Sequence, residues 1–317
     1  MPEPLIEVRN LKKYFPIGKQ MLHAVDDVSF QVERGLTLGI VGESGCGKTT
    51  LGRTIIGLTK ATSGQVFLEG RDITNCSAIE QRMLRKDLQI IFQDPYSSLD
   101  PRHTIGKNID EPILLNTGEK NRTKRRERVA KLMELVGLPE EYMDAYPFEL
   151  DPGRLQRAGI ARAISVNPKL IVCDEPVSSL DVSIQAQILN LLMDLQEKMG
   201  FTYLFITHDL SVVHHISQKI AVMYLGECVE FGTRDQIFEN PSHPYTRTLL
   251  SAIPIPGPQE RERKVELIRG EITSAVNPGA GCRFALRCPY AGEACKKKVD
   301  LVDVGGGHRA ACLLNNK

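Results

Sequence analysis

Residues 38–53, "LGIVGESGCGKTTLGR", join an apolar run to a glycine-rich loop and a helix-like pattern. Within this segment Gly42, Gly47, Lys48 and Thr49 match the phosphate-binding P-loop motif G-x-x-x-x-G-K-[ST]. Glycines let the backbone turn so that several N–H groups point to one place, and the helix that follows adds its positive end. The lysine would reach the terminal phosphates, and the threonine hydroxyl would bind Mg²⁺. An ordinary turn between a strand and a helix is the alternative that the bare motif leaves open.

The bulk composition is that of a globular protein with a hydrophobic core. Of the 317 residues, 42% are hydrophobic and 25% are charged, and the formal net charge is +1. This near-neutral balance excludes a global attraction to nucleic acid or to an anionic membrane surface. No apolar run approaches the roughly 18–20 residues of a transmembrane helix, and the N-terminal segment lacks the apolar region of a signal peptide. We therefore expect a cytoplasmic protein that acts on a membrane only through a partner.

The chain alternates between strand-like and helix-like segments, which predicts an α/β fold with a mainly parallel sheet. Residues 5–80 contain short β-rich segments around the P-loop, and residues 96–168 are mostly helical. "KLIVCDEP" and "FTYLFITHDL" are apolar runs of strand length that end in polar residues, where the ligands of a parallel sheet bind. From residue 241 onward proline and glycine become frequent. We predict one domain at 1–240 and an appended tail at 241–317 that lies outside the core sheet.

Polar residues follow several of these apolar runs. Asp174 and Glu175 end "KLIVCDEP" as a Walker B pair does, where one carboxylate holds Mg²⁺ through its water shell and the next polarises the attacking water. A strand that ends in a polar turn is the alternative for this pair taken alone. Gln93 follows the strand-like start of "IIFQDP", the "SSLD" motif ends at Asp181, and His208 follows "LFIT". Their position after apolar strands favours one shared site.

Taken in order, these motifs and a signature region before Walker B resemble the ATPase cassette of ABC transporters over residues 5–235. The resemblance implies a P-loop α/β core, an antiparallel β-subdomain and an inserted helical subdomain at about residues 96–168. It also implies that two such cassettes enclose two ATP molecules head to tail.

The same resemblance implies roles for individual residues. Phe15 would stack on adenine, for which an aromatic face is sufficient. Thr49 and Gln93 would bind Mg²⁺, and Gln93 would also couple the nucleotide to the membrane domains. Glu175, His208 and Gln93 would be the catalytic residues, with His208 on the γ-phosphate. The residues implied to bind ATP and its Mg²⁺ are Phe15, Gly42, Ser44, Gly45, Cys46, Gly47, Lys48, Thr49, Thr50, Gln93 and Asp174.

The end of the chain narrows the resemblance. "NPSHPYTRTLL" at residues 240–250, followed by a cysteine-rich end, is similar to the ATPases of oligopeptide and dipeptide importers. This similarity implies an ATP-hydrolysing subunit that powers peptide import at the cytoplasmic face of the cell membrane, where it is peripheral. The implied partners are a second ATPase subunit, two transmembrane permease subunits and, indirectly, an extracellular or periplasmic substrate-binding protein, with no nucleic acid. Oligosaccharide importers share this architecture and remain an alternative.

Four of the eight cysteines lie close together in the tail, at Cys282, Cys288, Cys295 and Cys312. In a reducing cytoplasm such a group favours metal binding over disulfides. The spacing is not the Cys-x₂-Cys pairing of a zinc ribbon, and four thiolates suit either zinc or an iron–sulfur cluster. Related peptide-importer ATPases carry a [4Fe–4S] cluster here, so the resemblance implies one. Zinc, and thiols without a metal, remain alternatives.

Two other classes of protein are alternatives to a transport subunit. A soluble, non-transport ABC ATPase would carry two cassettes in one chain or long coiled coils, and this chain has one cassette and no sustained heptads. An iron–sulfur redox sensor would show ATPase activity that follows the redox state of its cluster. A transport subunit would instead co-purify with two membrane subunits.

The signature region departs from the family pattern. In "FELDPGRLQRAGIARA", Asp151, Pro152, Gly153 and Arg154 stand where the family has Ser, Gly, Gly and Gln. Asp151 suits an N-cap and Pro152 a first helical position, so a helix is still expected to begin here. As phosphate contacts they are poor, because Asp151 is anionic and Pro152 has no N–H, although Arg154 could offset part of the repulsion. We therefore expect an asymmetric heterodimer with a second, different ATPase.

Overall fold

A computed structural model describes residues 3–253 and 274–315 of the chain. The chain divides into two compact units. The first combines the described residues of Met1–Val32, Thr37–Thr74 and Ile206–Lys317, and the second combines Glu33–Leu36 and Asn75–Phe205.

The described residues form strands and helices throughout the chain. The strands are β1 (Ile6–Ile17), β2 (Gln20–Val32), β3 (Thr37–Val41), β4 (Ser63–Leu68), β5 (Arg71–Asp72), β6 (Leu88–Ile91), β7 (Leu170–Asp174), β8 (Thr202–Ile206), β9 (Lys219–Tyr224), β10 (Glu227–Thr233), β11 (Val302–Gly305) and β12 (His308–Ala310). The α-helices are α1 (Lys48–Ile55), α2 (Ala78–Leu84), α3 (Pro95–Ser98), α4 (Ile105–Thr117), α5 (Arg122–Leu135), α6 (Pro152–Ile164), α7 (Val182–Met199), α8 (Leu210–Ile216), α9 (Arg234–Glu239) and α10 (Pro244–Ser251). Short 3₁₀ helices occupy Glu140–Asp144, Pro147–Glu149, Glu293–Lys296 and Leu313–Asn315.

The first unit contains two sets of paired strands. One is a four-stranded sheet in the order β2-β1-β4-β5, and all its pairs are antiparallel. The other follows the order β11-β12-β10-β9-β3, in which β9 and β3 are parallel and the remaining pairs are antiparallel. The first set is the antiparallel β-subdomain that the resemblance implies, and β3 in the second set leads into the P-loop.

The hydrophobic core of the first unit includes residues from both ends of the sequence. Val41 at the end of β3 belongs to the same buried cluster as Tyr224, Tyr245 and Phe284. The ring of Tyr224 meets the rings of Tyr245 and Phe284 edge-on, with centroids 4.7 and 5.3 Å apart. Aromatic rings prefer such edge-to-face contacts to a face-to-face sandwich. The tail residue Phe284 therefore shares a core with the strand that precedes the P-loop.

In the second unit, strands lie in the order β8-β7-β6, and β6 pairs with β7 in parallel. Every residue of β7, "LIVCD", is buried, as expected for an apolar strand of a parallel sheet that is covered on both faces. Helices α3 to α6 lie between β6 and β7 in the sequence, which agrees with the mostly helical character predicted for residues 96–168. In α5 the buried hydrophobic residues are Val129, Leu132 and Met133, which lie on one face of the helix.

The expectation that the tail lies outside the core sheet is wrong. Strand β12 pairs antiparallel with β10, and β11 pairs with β12. The unpaired N–H and C=O groups of an edge strand favour the addition of another strand. A buried side-chain contact also joins β12 to β10, because His308 Nε2 lies 2.7 Å from Glu230 Oε1. The predicted boundary at residue 240 stays a prediction, and residues 254–273 of the predicted tail lie outside the described residues.

Candidate functional site

The P-loop lies between the last residue of β3, Val41, and the first residue of α1, Lys48. Gly47 is the N-cap of α1 with φ +103°, a conformation that L side chains rarely adopt. A Cβ atom at Gly47 would overlap the carbonyl oxygen of Ala24, and one at Gly42 would overlap the carbonyl oxygen of Met223. The motif glycines are therefore required by the close approach of neighbouring backbone.

Lys48 is the buried cation of this loop. Its Nζ donates hydrogen bonds to the carbonyl oxygens of Gly42 at 2.8 Å and of Glu43 at 3.0 Å. Ser44 and Gly45 at the outer turn of the loop are exposed, whereas Cys46 is buried. A buried ammonium group beside the N-terminus of a helix is an arrangement that binds a phosphate, so these residues fit the phosphates of a nucleotide.

Two aromatic residues in β1 have different surroundings. Tyr14 stacks on His23 with ring centroids 3.9 Å apart, and its hydroxyl donates to Asp26 at 2.5 Å. Burial, with the nearby Asp26 carboxylate, raises the pKa of Tyr14 above its usual value. The ring of Phe15 is half-buried, and Lys13 Nζ lies 4.6 Å from its centroid. The stacking role of Phe15 stays a prediction.

His208 follows β8 at the start of the turn into α8. Its side chain is exposed, while Thr207 before it is buried. Asp209 caps α8 by accepting from the N–H of Ser211 at 2.8 Å, and its own N–H donates to Thr207 Oγ1 at 3.1 Å. These local bonds fix the backbone on both sides of His208, whose contact with a γ-phosphate stays a prediction.

The second unit brings Gln93 and Glu175 together. Because β6 and β7 are parallel neighbours, the residues that follow them lie at the same edge of the sheet. Gln93 Nε2 donates to Glu175 Oε2 at 3.0 Å and lies 3.4 Å from Ser178 Oγ. Glu175 has φ +49°, a strained backbone conformation for a residue other than glycine, of a kind found at functional sites. A glutamate held by an amide can orient a water molecule.

Asp174 precedes Glu175 and is only 2% exposed. It is the last residue of β7, where a predicted Mg²⁺-binding carboxylate of a Walker B motif has to lie. The structure thus places the carboxylates of Asp174 and Glu175 at the end of a fully buried strand, as predicted. Thr49 and Thr50 lie in the first turn of α1.

The signature region begins a helix as the sequence predicts. Asp151 is the N-cap of α6 and accepts from the N–H of Arg154 at 2.8 Å, and Pro152 is the first helical residue. The Arg154 guanidinium forms an ion pair with Asp151 at 2.6 Å and lies 4.9 Å from the Tyr142 ring. The negative charge of Asp151 is therefore partly offset by its own helix, as the sequence suggests.

None of the eight cysteines, all of which are among the described residues, forms a disulfide, and the four tail cysteines line one cavity of about 170 Å³. Burial raises the pKa of Cys282 to about 11, and it raises the pKa values of Cys288 and Cys312 as well. Within residues 3–253 and 274–315, no three or more His, Cys, Asp or Glu residues are placed to hold a metal ion. Four thiols around one cavity nevertheless supply the donor type that zinc and iron–sulfur clusters use.

The structure adds residues that the sequence reasoning missed. Tyr245 Oη accepts from the N–H of Glu43 at 2.9 Å, and the Arg287 guanidinium forms a two-pronged ion pair with the Glu43 carboxylate. Arg287 and Arg283 belong to "CRFALRC", where each arginine adjoins a cysteine and the two are four residues apart. An arginine beside each of these two cysteines was the signal that the sequence offered.

Models of two protein families match the chain. The family described as "ABC transporter" matches residues 25–178, and "Oligopeptide/dipeptide transporter, C-terminal region" matches residues 229–295. The chain has a P-loop and a Walker B strand end, and it has relatives of high identity over nearly its full length. It therefore belongs to the ABC transporter family and is an ATPase of the ATP-binding cassette class. In the described ranges no helix is both long and apolar enough to cross a membrane.

Among individual proteins, the chain is 50% identical to "Oligopeptide transport ATP-binding protein OppF" of Salmonella typhimurium, covering 98% of this chain and 96% of that protein. It is 45% identical to "Dipeptide transport ATP-binding protein DppF" of Escherichia coli (strain K12), covering 99% and 95%. Among solved structures, the dimeric ABC transporter cassette MJ0796 matches with a TM-score of 0.67 at 29% identity, over 72% of this chain and 98% of that one.

Proposed function

We propose that this chain is the ATP-hydrolysing subunit of a membrane ABC transporter that imports oligopeptides or dipeptides. The observation that carries the proposal is the match of residues 229–295 to the C-terminal region of oligopeptide/dipeptide transporters, together with 45–50% identity to OppF and DppF proteins. The subunit would be peripheral at the cytoplasmic face of the membrane. It would bind two transmembrane permease subunits directly and serve an extracellular or periplasmic substrate-binding protein indirectly.

The proposed chemistry divides the work between the described residues. The P-loop N–H groups and Lys48 would bind the phosphates of ATP, and Phe15 would stack on adenine. Thr49 and Gln93 would hold Mg²⁺, which supplies charge neutralisation on the phosphates when it is bound. Glu175, held by Gln93, would accept a proton from the attacking water.

His208 and Asp174 complete the proposed set. His208, exposed at the start of the turn into α8, would donate a hydrogen bond to the γ-phosphate. The buried carboxylate of Asp174 would bind the water shell of Mg²⁺. Ser44, Gly45, Cys46 and Thr50 would contribute backbone N–H groups or a hydroxyl around the phosphates.

The altered signature supports an asymmetric pair of ATPases. A signature helix of this family presents hydroxyl and N–H groups to the nucleotide of the other cassette. Here the exposed N-terminal turn of α6 presents the Asp151 carboxylate and Pro152, which has no N–H to donate. A homodimer would contain two such sites. We therefore propose a second, different ATPase whose intact signature faces the nucleotide of this chain.

Purification tests the proposed assembly. When the native transporter is isolated through a tag on this chain, we expect two membrane permeases and one different ATPase to co-purify in equal amounts. In vesicles, the assembly should take up labelled peptides and not labelled oligosaccharides. Recovery of this chain alone, or only as a homodimer, would contradict the assembly. Uptake of oligosaccharides instead of peptides would correct the cargo.

We also propose that Cys282, Cys288, Cys295 and Cys312 hold a [4Fe–4S] cluster. The support is the donor set, because four thiols line one cavity in a segment whose strands β11 and β12 are short. Such a small segment buries little apolar surface, and a cluster would tie its ends together. Zinc is the alternative occupant, because it also accepts four thiolates.

Metal analysis separates these occupants. Protein purified without oxygen is expected to be brown and to contain about four irons per chain, as a cubane cluster does. Cys288→Ser or Cys295→Ser should bleach the colour, because each removes one sulfur ligand. Cys76→Ser, which alters a cysteine outside the cavity, is the matched control and should keep the iron. One zinc per chain without iron would overturn the cluster proposal.

A further inference from the structure

The tail segment between Cys282 and Cys288 carries two buried arginines. The side chains of Arg283 and Arg287 are only 4% and 7% exposed. Arg283 forms ion pairs with Asp26 and Glu227, and Arg287 pairs with Glu43. A buried guanidinium group is stable only with an anionic partner, so these contacts define how the segment is attached. Of the two arginines, Arg287 is the one that contacts the P-loop.

The contact between Arg287 and Glu43 has two hydrogen bonds. Nη1 donates to Oε2 at 2.8 Å, and Nη2 donates to Oε1 at 3.0 Å. Nη1 also lies 3.2 Å from Tyr224 Oη, and the guanidinium carbon lies 5.7 Å from the centroid of the Tyr224 ring. A two-pronged arginine–carboxylate pair fixes orientation as well as distance. The Glu43 side chain is therefore held in one position.

Glu43 is the second residue of the P-loop motif, and its backbone is fixed as well. Its N–H donates to Tyr245 Oη at 2.9 Å, and its carbonyl oxygen accepts from Lys48 Nζ at 3.0 Å. The N–H of Cys46 also donates to this carbonyl at 3.3 Å. The position of Glu43 thus bears directly on the lysine that reaches the phosphates and on the turn of the loop.

Arg287 also neutralises the negative charge of Glu43 in the phosphate-binding loop. An ionised carboxylate in a phosphate-binding loop repels the phosphates of a nucleotide. Pairing with Arg287 neutralises this charge and holds the carboxylate toward the tail, where Tyr224 also contacts the guanidinium. Lysine would supply the charge but only a single point of attachment, so arginine suits this task better.

We propose that Arg287 is a positioning residue for phosphate binding, which acts through Glu43 on the P-loop backbone and on Lys48. The tail of this chain would then be part of the nucleotide site, although it lies more than two hundred residues away along the sequence. The inference rests on the proposed role of the P-loop as the nucleotide site. Lys48→Ala in the same assay separates the two, because it removes the phosphate-binding lysine directly.

The test is the affinity of the purified full chain for ATP, ADP and AMP. With Arg287→Gln we expect ATP and ADP to bind about 10- to 100-fold more weakly, the range expected for lost charged hydrogen bonds. AMP should lose less affinity than ATP and ADP, because its single phosphate would contact the N–H groups of the loop and not Lys48. Arg287→Lys should give an intermediate loss for ATP, because the charge remains.

A double-mutant cycle ties the effect to Glu43. In a Glu43→Gln background the carboxylate is absent, so Arg287→Gln should weaken ATP binding much less than it does in the unaltered chain. His308→Gln is the matched control, because it alters another buried polar contact between the tail and the core, with Glu230, that does not touch the P-loop. It should leave the ATP affinity unchanged, whatever it does to thermal stability.

Three results would overturn the inference while Lys48→Ala still abolishes ATP binding. The first is an ATP affinity that is unchanged in both Arg287 variants. The second is a loss of affinity in Arg287→Gln that is equal for AMP and ATP. The third is a loss of ATP affinity in His308→Gln as large as that in Arg287→Gln. If Arg287→Gln does not fold, the test uses Arg287→Lys and Glu43→Gln instead. In each of these variants the loss of affinity for ATP is compared with the loss for AMP. If Lys48→Ala binds ATP normally, the proposed nucleotide site is wrong, and this inference is wrong with it.

Discussion

Glu175→Gln is expected to leave ATP bound and to lower ATP hydrolysis by the assembled transporter about 10²- to 10⁴-fold, the usual contribution of a general base. The glutamine keeps the size of the side chain and can still bond to Gln93, which lies 3.0 Å from Glu175 Oε2. It cannot accept a proton from water. The measurement is the amount of nucleotide trapped per transporter together with the rate of phosphate release.

The equivalent glutamate of the partner ATPase provides the matched control. In the asymmetric assembly proposed above, the partner's nucleotide faces the Asp151–Arg154 ion pair of this chain and is hydrolysed weakly or not at all. The same Glu→Gln change in the partner should therefore leave most of the turnover in place. Equal losses from the two changes would remove the asymmetry, and wild-type turnover in Glu175→Gln would remove Glu175 as the base.

Lys48→Ala is expected to abolish productive ATP binding, with a loss of affinity on the order of 10²-fold from the charged hydrogen bonds alone. The Lys48 side chain is buried and donates to two carbonyl oxygens of the loop, so its removal also leaves those carbonyls without this donor. Equilibrium binding of ATP to the purified chain measures the effect. Transport by the assembled complex should fall in parallel.

An exposed lysine serves as the control for this change. Lys60 lies on the surface just beyond α1, and Lys60→Ala removes the same charge without touching the P-loop. The ATP affinity of Lys60→Ala should match that of the unaltered chain, because the charge of an exposed lysine is screened by salt. Normal ATP binding by Lys48→Ala, or an equal loss in Lys60→Ala, would contradict the role of Lys48.

Sequence reasoning succeeded where the physical signal is local. Gly47 takes a positive φ, Asp151 caps its own helix, and β7 is an apolar run that ends at Asp174 and is followed by Glu175. Each of these features depends on residues within a few positions of one another, so their spacing in the sequence is enough to predict them. The order of the motifs then identified the class of ATPase, and the comparisons confirmed it.

The pairing of Gln93 with Glu175 shows an intermediate case. The sequence placed each residue after an apolar strand, but the strands lie about eighty residues apart in the chain. Only the parallel register of β6 with β7 decides that the two side chains meet. Strand order is a property of the whole sheet, since a strand pairs according to the packing of both its faces.

By itself, the sequence determined the P-loop, the Walker B strand, the helical start of the altered signature and the family to which the chain belongs. Only the tertiary structure decided that β12 pairs with β10, that four cysteines line one cavity and that Arg287 forms an ion pair with Glu43. Those contacts join residues far apart in the chain, and no local preference of either partner encodes them. They form because burial of the tail leaves strand edges and charged groups that must find partners elsewhere in the fold.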